Sequence, residues 1–204
     1  MMRSTIIRVC CLCLLVFLAV NMGFSRAHAC VGRKLVLGAL EDDRQGMVTR
    51  ILSILIHERT GTTVEVKYFS GMDELMTMVQ KGKVDLFVDY VDPALNRLEE
   101  DPSSLALEER YSTVKKRYDE EFNLVWLKPM GFTGRDPGGA SLGKASVVVK
   151  KDALKKFPAL PRLLEKIGTR VPLSDDVLDG LVAEAQKKKP AKVARQFLKD
   201  EKLI

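Results

Sequence analysis

The chain alternates apolar runs with charged turns, and their periods set out a regular order of elements. Lys34 to Leu40 is a short apolar run that reads as a strand, and Glu41-Asp42-Asp43 crowds acids ahead of a helix starting near Asp43. In that helix Met47, Ile51, Ile54 and Leu55 keep the 3.6-residue spacing, and Thr60-Gly61 ends it. Thr62 to Phe69 sets Val64, Val66 and Tyr68 against Glu65 and Lys67, the period of a half-buried strand suited to a sheet edge. Ser70-Gly71 turns the chain into a helix over Met72 to Lys81. Val84 to Val88 then reads as a buried strand, with Asp89, Tyr90 and Asp92 where it runs out.

The second half is read the same way. Asp101-Pro102-Ser103-Ser104 forms a loop and cap before a charged helix, Leu105 to Phe122. Asn123 to Phe132 is a fourth strand, Thr133 to Lys144 is a loop by its four glycines, and Ala145 to Lys150 is a fifth strand. Helices complete the chain, one starting at Phe157-Pro158, one capped by Ser174-Asp175-Asp176 and one starting at Pro190. Strand, helix, strand, helix, strand within about fifty residues requires right-handed crossovers. The expected class is α/β, with a mainly parallel five-stranded sheet flanked by helices and closed by C-terminal helices.

Composition changes the picture at one end. Arg3 and Arg8 precede an unbroken apolar run, Val9 to Val20, and Ala27-His28-Ala29 places small residues where an export peptidase reads. Residues 1–29 are therefore expected to be a signal peptide and 30–204 a single α/β domain. Cys30 follows directly, and three fates are open: an ordinary first residue, a lipid-modified anchor, or part of a retained signal anchor. Cys10, Cys11 and Cys13 leave with the signal, so one cysteine remains and no internal disulfide can form. The signal carries three arginines and no acid, which lowers the formal charge from +6 to +3 for the remainder. That surplus gives no argument for nucleic acid. The location expected is periplasmic or otherwise extracytoplasmic.

Candidate chemistry is sparse. His57 is the one histidine after residue 29 and lies near a helix end, and no nucleophile elbow, metal-ligand spacing or phosphate-cradling glycine loop occurs. Neither enzyme activity, cofactor nor metal is expected. In an open α/β sheet, ligands sit at the carboxyl ends of the strands, which draws attention to Asp89, Tyr90 and Asp92. Asp92, before Pro93, is read as a turn residue, and Asp42 and Asp43 as helix caps.

With these residues in order, the chain resembles the substrate-binding proteins of ABC importers for glycine betaine, choline and related osmoprotectants. ERTGTTVEV with KGKVDLFVDY resembles that family's helix end, second strand and Gly-x-x-Asp-Leu-x-x-x-Tyr stretch, and WLKPMGF its Trp-Leu-x-Pro-Leu-Gly-Phe segment. VVVKKDALKKFPALPRLLEKI and AKVARQFLKDEKLI resemble its closing helices. The resemblance implies one lobe of a type II periplasmic-binding-protein fold, an ABC permease as partner, and a small quaternary-ammonium or amino-acid-like ligand. Tyr90 matches the family's wall tyrosine, whose aromatic face attracts a quaternary ammonium, and its bland reading is packing at a strand end. Gln45, retained from an otherwise altered glutamine motif, and Asp89 are the other expected ligand contacts; Gln45 reads equally well as a solvated helix-start residue. Between Phe132 and Ala145 the family would carry its second lobe, and here only residues 133–144 stand in its place. A homodimer or a separate chain is then expected to supply the missing wall. The alternative is a lobe that binds no solute and docks on a permease or another extracytoplasmic partner.

Overall fold

The structure is a computed structural model and describes residues 34–204 apart from Pro137 and Pro172. The expected signal peptide and Cys30 lie outside the described residues.

β1 (Lys34–Leu40), α1 (Asp43–Thr60), β2 (Thr63–Phe69), α2 (Met72–Gln80) and β3 (Leu86–Tyr90) form the predicted alternation. α1 begins and ends as its sequence dictates. The Asp42 carboxylate accepts the Gln45 N–H at 2.7 Å, and Gly61 closes the helix at φ +67°. β3 runs two residues later than expected, so Asp89 and Tyr90 are its last members rather than its sequel.

After β3 come α3 (Val91–Arg97), a 3₁₀ turn (Pro102–Ser104) and α4 (Leu107–Phe122). The helix α3 was not expected, because Asp-Pro reads as a turn. Pro93 sits within its first turn, where the missing N–H costs no hydrogen bond. β4 (Leu124–Arg135) and β5 (Ser141–Lys150) follow, then α5 (Lys151–Lys156), α6 (Leu160–Leu164), the kinked α7 (Lys166–Thr169), α8 (Asp175–Ala185) and α9 (Pro190–Asp200). Residues 133–144 are thus not one loop. They are the facing ends of a long antiparallel hairpin, with Thr133 paired to Lys144 and Arg135 to Ser141. Glycine-rich composition concealed strand pairing there.

The sheet order is β2-β1-β3-β5-β4. β1 pairs in parallel with β2 and β3, and β5 is antiparallel to both β3 and β4. Four strands therefore point one way, and the sheet is mixed but mostly parallel. Side chains alternate across it. Leu86, Val88 and Tyr90 join the core under α1 and the C-terminal helices, whereas Phe87 and Val148 join the core under α2, α3 and α4. The outer edge of β4 is blunted: the N–H groups of Lys128 and Thr133 donate to the carboxylates of Glu165 and Asp175.

Parallel crossovers place the N-termini of α1, α2 and α3 at the carboxyl edge of the sheet. Asp43, Asp73, Glu74 and Asp92 lie in their first turns, where the helix dipoles favour negative charge. The opposite, amino edge receives the end of α1 and the start of each parallel strand.

Candidate functional site

At the carboxyl edge, Gln45 ties three elements together. It is almost fully buried, not solvated; its Oε1 accepts the Leu40 N–H at 3.2 Å, leaving its amide to hydrogen-bond the Tyr90 hydroxyl. The end of β1, the start of α1 and the end of β3 thereby share one side chain. Burial pushes the Tyr90 phenol up to about 12, a shift the Gln45 contact only partly opposes, so this tyrosine is neutral at any physiological pH.

The hairpin lies over this pair. The Phe132 ring meets Tyr90 edge to face at 6.4 Å, and Gly134 lies so close that a Cβ there would stand 2.5 Å from the Tyr90 ring. Arg44 holds the hairpin down. Its guanidinium lies 5.8 Å from the Phe132 centroid and bonds Asp175 at 2.5 Å. Asp175 also accepts the Thr133 hydroxyl at 2.9 Å. Desolvation raises the Asp175 carboxyl, but the Arg44 and Thr133 donors outweigh it and hold the group below the usual carboxylate range.

Asp89 does not join them. It projects to the other face, fully buried, where it pairs with Arg97 and accepts the Tyr90 N–H at 2.8 Å. Arg97 also donates to the Tyr118 hydroxyl at 3.1 Å. Burial pushes the Asp89 carboxyl up against the pull of Arg97. Its oxygens are engaged by the protein itself, so the expected trio divides into Gln45 and Tyr90 on one face and a buried ion pair on the other. Asp92 starts α3 and faces Arg110 at 3.4 Å.

A cavity of about 770 Å³ opens between the start of α1, the end of β2 and α8, and neither Gln45 nor Tyr90 is among its lining residues. Glu41, Asp42 and Asp43 line it with Tyr68 and Arg50. Tyr68 is 47% exposed, although the alternation of β2 had placed it inward. Its position one residue from the carboxyl end of the edge strand was the signal available in the sequence. Arg50, one turn beyond Met47 on α1, carried none. Among the described residues, no group of three or more His, Cys, Asp and Glu forms a metal site, and no helix is long and apolar enough to cross a membrane.

The sequence profile of the substrate binding domain of the ABC-type glycine betaine transport system matches residues 33–137 and 135–200. The chain belongs to this family. The match arrives in two pieces that meet at the hairpin tip, where the second lobe was expected. A curated relative, the ergothioneine transport permease/ergothioneine binding protein EgtU of Helicobacter pylori (strain G27), is 26% identical over 104 residues. That alignment spans 49% of this chain and 18% of the relative. Among solved structures, a glycine betaine/carnitine/choline ABC transporter protein superposes with a TM-score of 0.69 at 14% identity, covering 84% of this chain and 99% of that one. Apo YehZ of Escherichia coli gives 0.72 at 13% identity, covering 85% and 100%. Lactococcal OpuAC, closed on glycine betaine, gives 0.57 at 11%, covering 83% and 96%. These structures establish the binding-protein fold for this family member. Family and neighbours are substrate-binding proteins rather than enzymes, and the family works outside the cytoplasm.

Proposed function

We propose that the protein is an extracytoplasmic substrate-binding component of an ABC importer for betaine-type osmoprotectants, built on one lobe and working with a permease subunit. The observation that carries this reading is the cavity at the carboxyl edge. Its lining combines carboxylates and a half-exposed tyrosine with Arg50. Glycine betaine and ergothioneine both pair a quaternary ammonium, which cannot donate hydrogen bonds, with a carboxylate. An aromatic face and acids suit the first group and a guanidinium fork the second. Gln45 and Tyr90 do not line this cavity, and Asp89 is spent on Arg97; the ligand set is read from the cavity's own lining.

One lobe gives walls on one side only, and tight capture of a small ligand needs most of its surface enclosed. Affinity is therefore weak unless a second copy or a separate chain closes the site. Export through residues 1–29, with Cys30 as free end or lipid anchor, belongs to the same reading. The alternative of a docking lobe without solute rests on Phe132 and Gly134, which cover the Tyr90 ring. Calorimetric titration with glycine betaine, choline, ergothioneine and proline, alongside the mass in solution, decides between them. Saturable heat that falls at least tenfold in affinity in Tyr68→Ala supports solute binding. Silence from a folded protein with all four ligands rejects it in favour of docking.

A further inference from the structure

The face of the sheet opposite Gln45 and Tyr90 holds buried chemistry that solute binding does not use. Among the described residues, two buried side-chain polar atoms have no hydrogen-bond partner, the indole Nε1 of Trp126 and the Oγ of Ser146. Trp126 is 1% exposed and Ser146 0%, so bulk solvent satisfies neither. Register brings the two into one neighbourhood. Ser146 on β5 stands opposite Asp89 on β3, and Trp126 on β4 stands opposite Val148, two residues along β5 from Ser146. Residues two apart on a strand share a face, so Asp89, Ser146 and Trp126 all project with Phe87 and Val148 into the core under α2, α3 and α4. Diagonal neighbours on adjacent strands lie ~7–8 Å apart, within reach of an aromatic side chain. Tyr118 closes the group from α4: its ring meets Trp126 edge to face at 5.5 Å, and its hydroxyl accepts from Arg97, the partner of Asp89.

The hydrogen-bonding chemistry of these groups specifies what joins them. The Trp126 N–H can only donate and needs an acceptor. The Asp89 carboxylate can only accept; Oδ1 receives the Tyr90 N–H and Oδ2 receives Arg97, and each oxygen keeps a further lone pair. The Ser146 hydroxyl does either. A cation is repelled by the indole N–H and the Arg97 guanidinium, and an anion by the Asp89 carboxylate, whereas a small neutral species that both accepts and donates suits all three. We infer that one internal water binds between Trp126 Nε1, Ser146 Oγ and the Asp89 carboxylate, accepting from the indole and donating to the carboxylate. Buried waters make about three hydrogen bonds to groups that otherwise lack partners, the number this site offers. The water extends the Asp89–Arg97–Tyr118 network, which joins β3, α3 and α4, to β5 and β4. One polar network then holds this side of the sheet, in place of an ion pair flanked by two orphaned groups.

Trp126 is the single tryptophan of the chain, so its indole N–H gives one unambiguous magnetic-resonance signal. The test uses the full chain, nitrogen-15 labelled, in zwitterionic micelles. The expected result is a dipolar cross-peak between the indole proton and water, opposite in sign in the laboratory and rotating frames, which marks a water that stays bound longer than the protein takes to tumble. Ser146→Val is expected to abolish the cross-peak, and Ser146→Thr, which has the same shape as valine but keeps a hydroxyl, to retain it. No cross-peak in the natural protein overturns the inference, as does one of equal sign in both frames, which reports proton exchange. An indole proton shifted upfield without a water cross-peak places the N–H against the Tyr118 ring and also overturns it. An unchanged cross-peak in Ser146→Val, or its loss in both variants, removes Ser146 from the site and overturns the bridge. The signal of the natural protein decides the water by itself if neither variant folds, and no solute enters the measurement, so its outcome is independent of solute binding.

Discussion

Asp89 and Tyr90 are neighbours on one strand, yet they serve cores on opposite faces. Around Asp89 the chemistry is closed: a fully buried carboxylate has its guanidinium, a backbone donor and a nearby phenol, and of these only the Arg97 side chain stays partly exposed. Around Tyr90 the pair with Gln45 is roofed by a hairpin that side-chain contacts hold down, and an acidic cavity opens on the same face, between α1, β2 and α8. The comparison teaches that polar residues at the carboxyl end of a strand are not interchangeable candidates. Parity along the strand sends one of each adjacent pair to each face, and here the acidic cavity lies on the Tyr90 face.

The sharpest way to break this contrast is to open the closed side. Arg97→Leu leaves the Asp89 carboxylate buried without its partner and is expected to cost about 3–5 kcal/mol in urea unfolding. Adding Asp89→Leu should return most of that loss, because an apolar pair of similar volume removes both desolvation penalties. A full loss retained in the double variant would mean that the pair does more than compensate its own burial. Neither change should alter solute affinity in whatever fraction stays folded.

On the Tyr90 side, Gly134→Ala forces a Cβ into the Tyr90 ring. The expected cost is about 1–3 kcal/mol, the range for overpacking, together with displacement of the hairpin, read as altered amide shifts at Phe132 and Thr133. Preserved stability and unchanged shifts would show that the ring gives way freely.

The smallest effect is the hairpin clamp. The folded-state pKa of Asp175 lies below its unfolded value near 3.9. Its stabilisation is thus present above the ordinary carboxylate range and lost as pH falls through the folded pKa. Asp175→Asn should unfold at lower urea than the natural protein at pH 6, by the ~1 kcal/mol typical of a charge-assisted contact of this exposure. The two midpoints should converge as pH falls through the folded pKa. A gap that persists in acid would assign the clamp to shape rather than charge.

Much of this architecture was legible without coordinates. The alternation β1–α1–β2–α2–β3, the Asp42 cap, the Gly61 stop and the edge position of β2 follow from period and capping chemistry, which act within a few residues. The helix α3 was missed because a proline in the first turn and a proline in a loop look alike locally. The hairpin was misread because glycines at positions 134 and 143 signal flexibility in sequence, while in the fold they leave room for Tyr90 and Asp92.

The candidate site divides along the same line. Sequence alone determined the α/β class and the family likeness, because hydrophobic period and local motifs encode them, and it drew attention to the carboxyl end of β3. Only the tertiary structure decided that Gln45 reaches Tyr90, that Asp89 belongs to Arg97, and that Tyr68 and Arg50 line one cavity. Those pairings join residues from different elements, and which side chains meet is settled by strand register, face parity and helix docking rather than by any single stretch of chain.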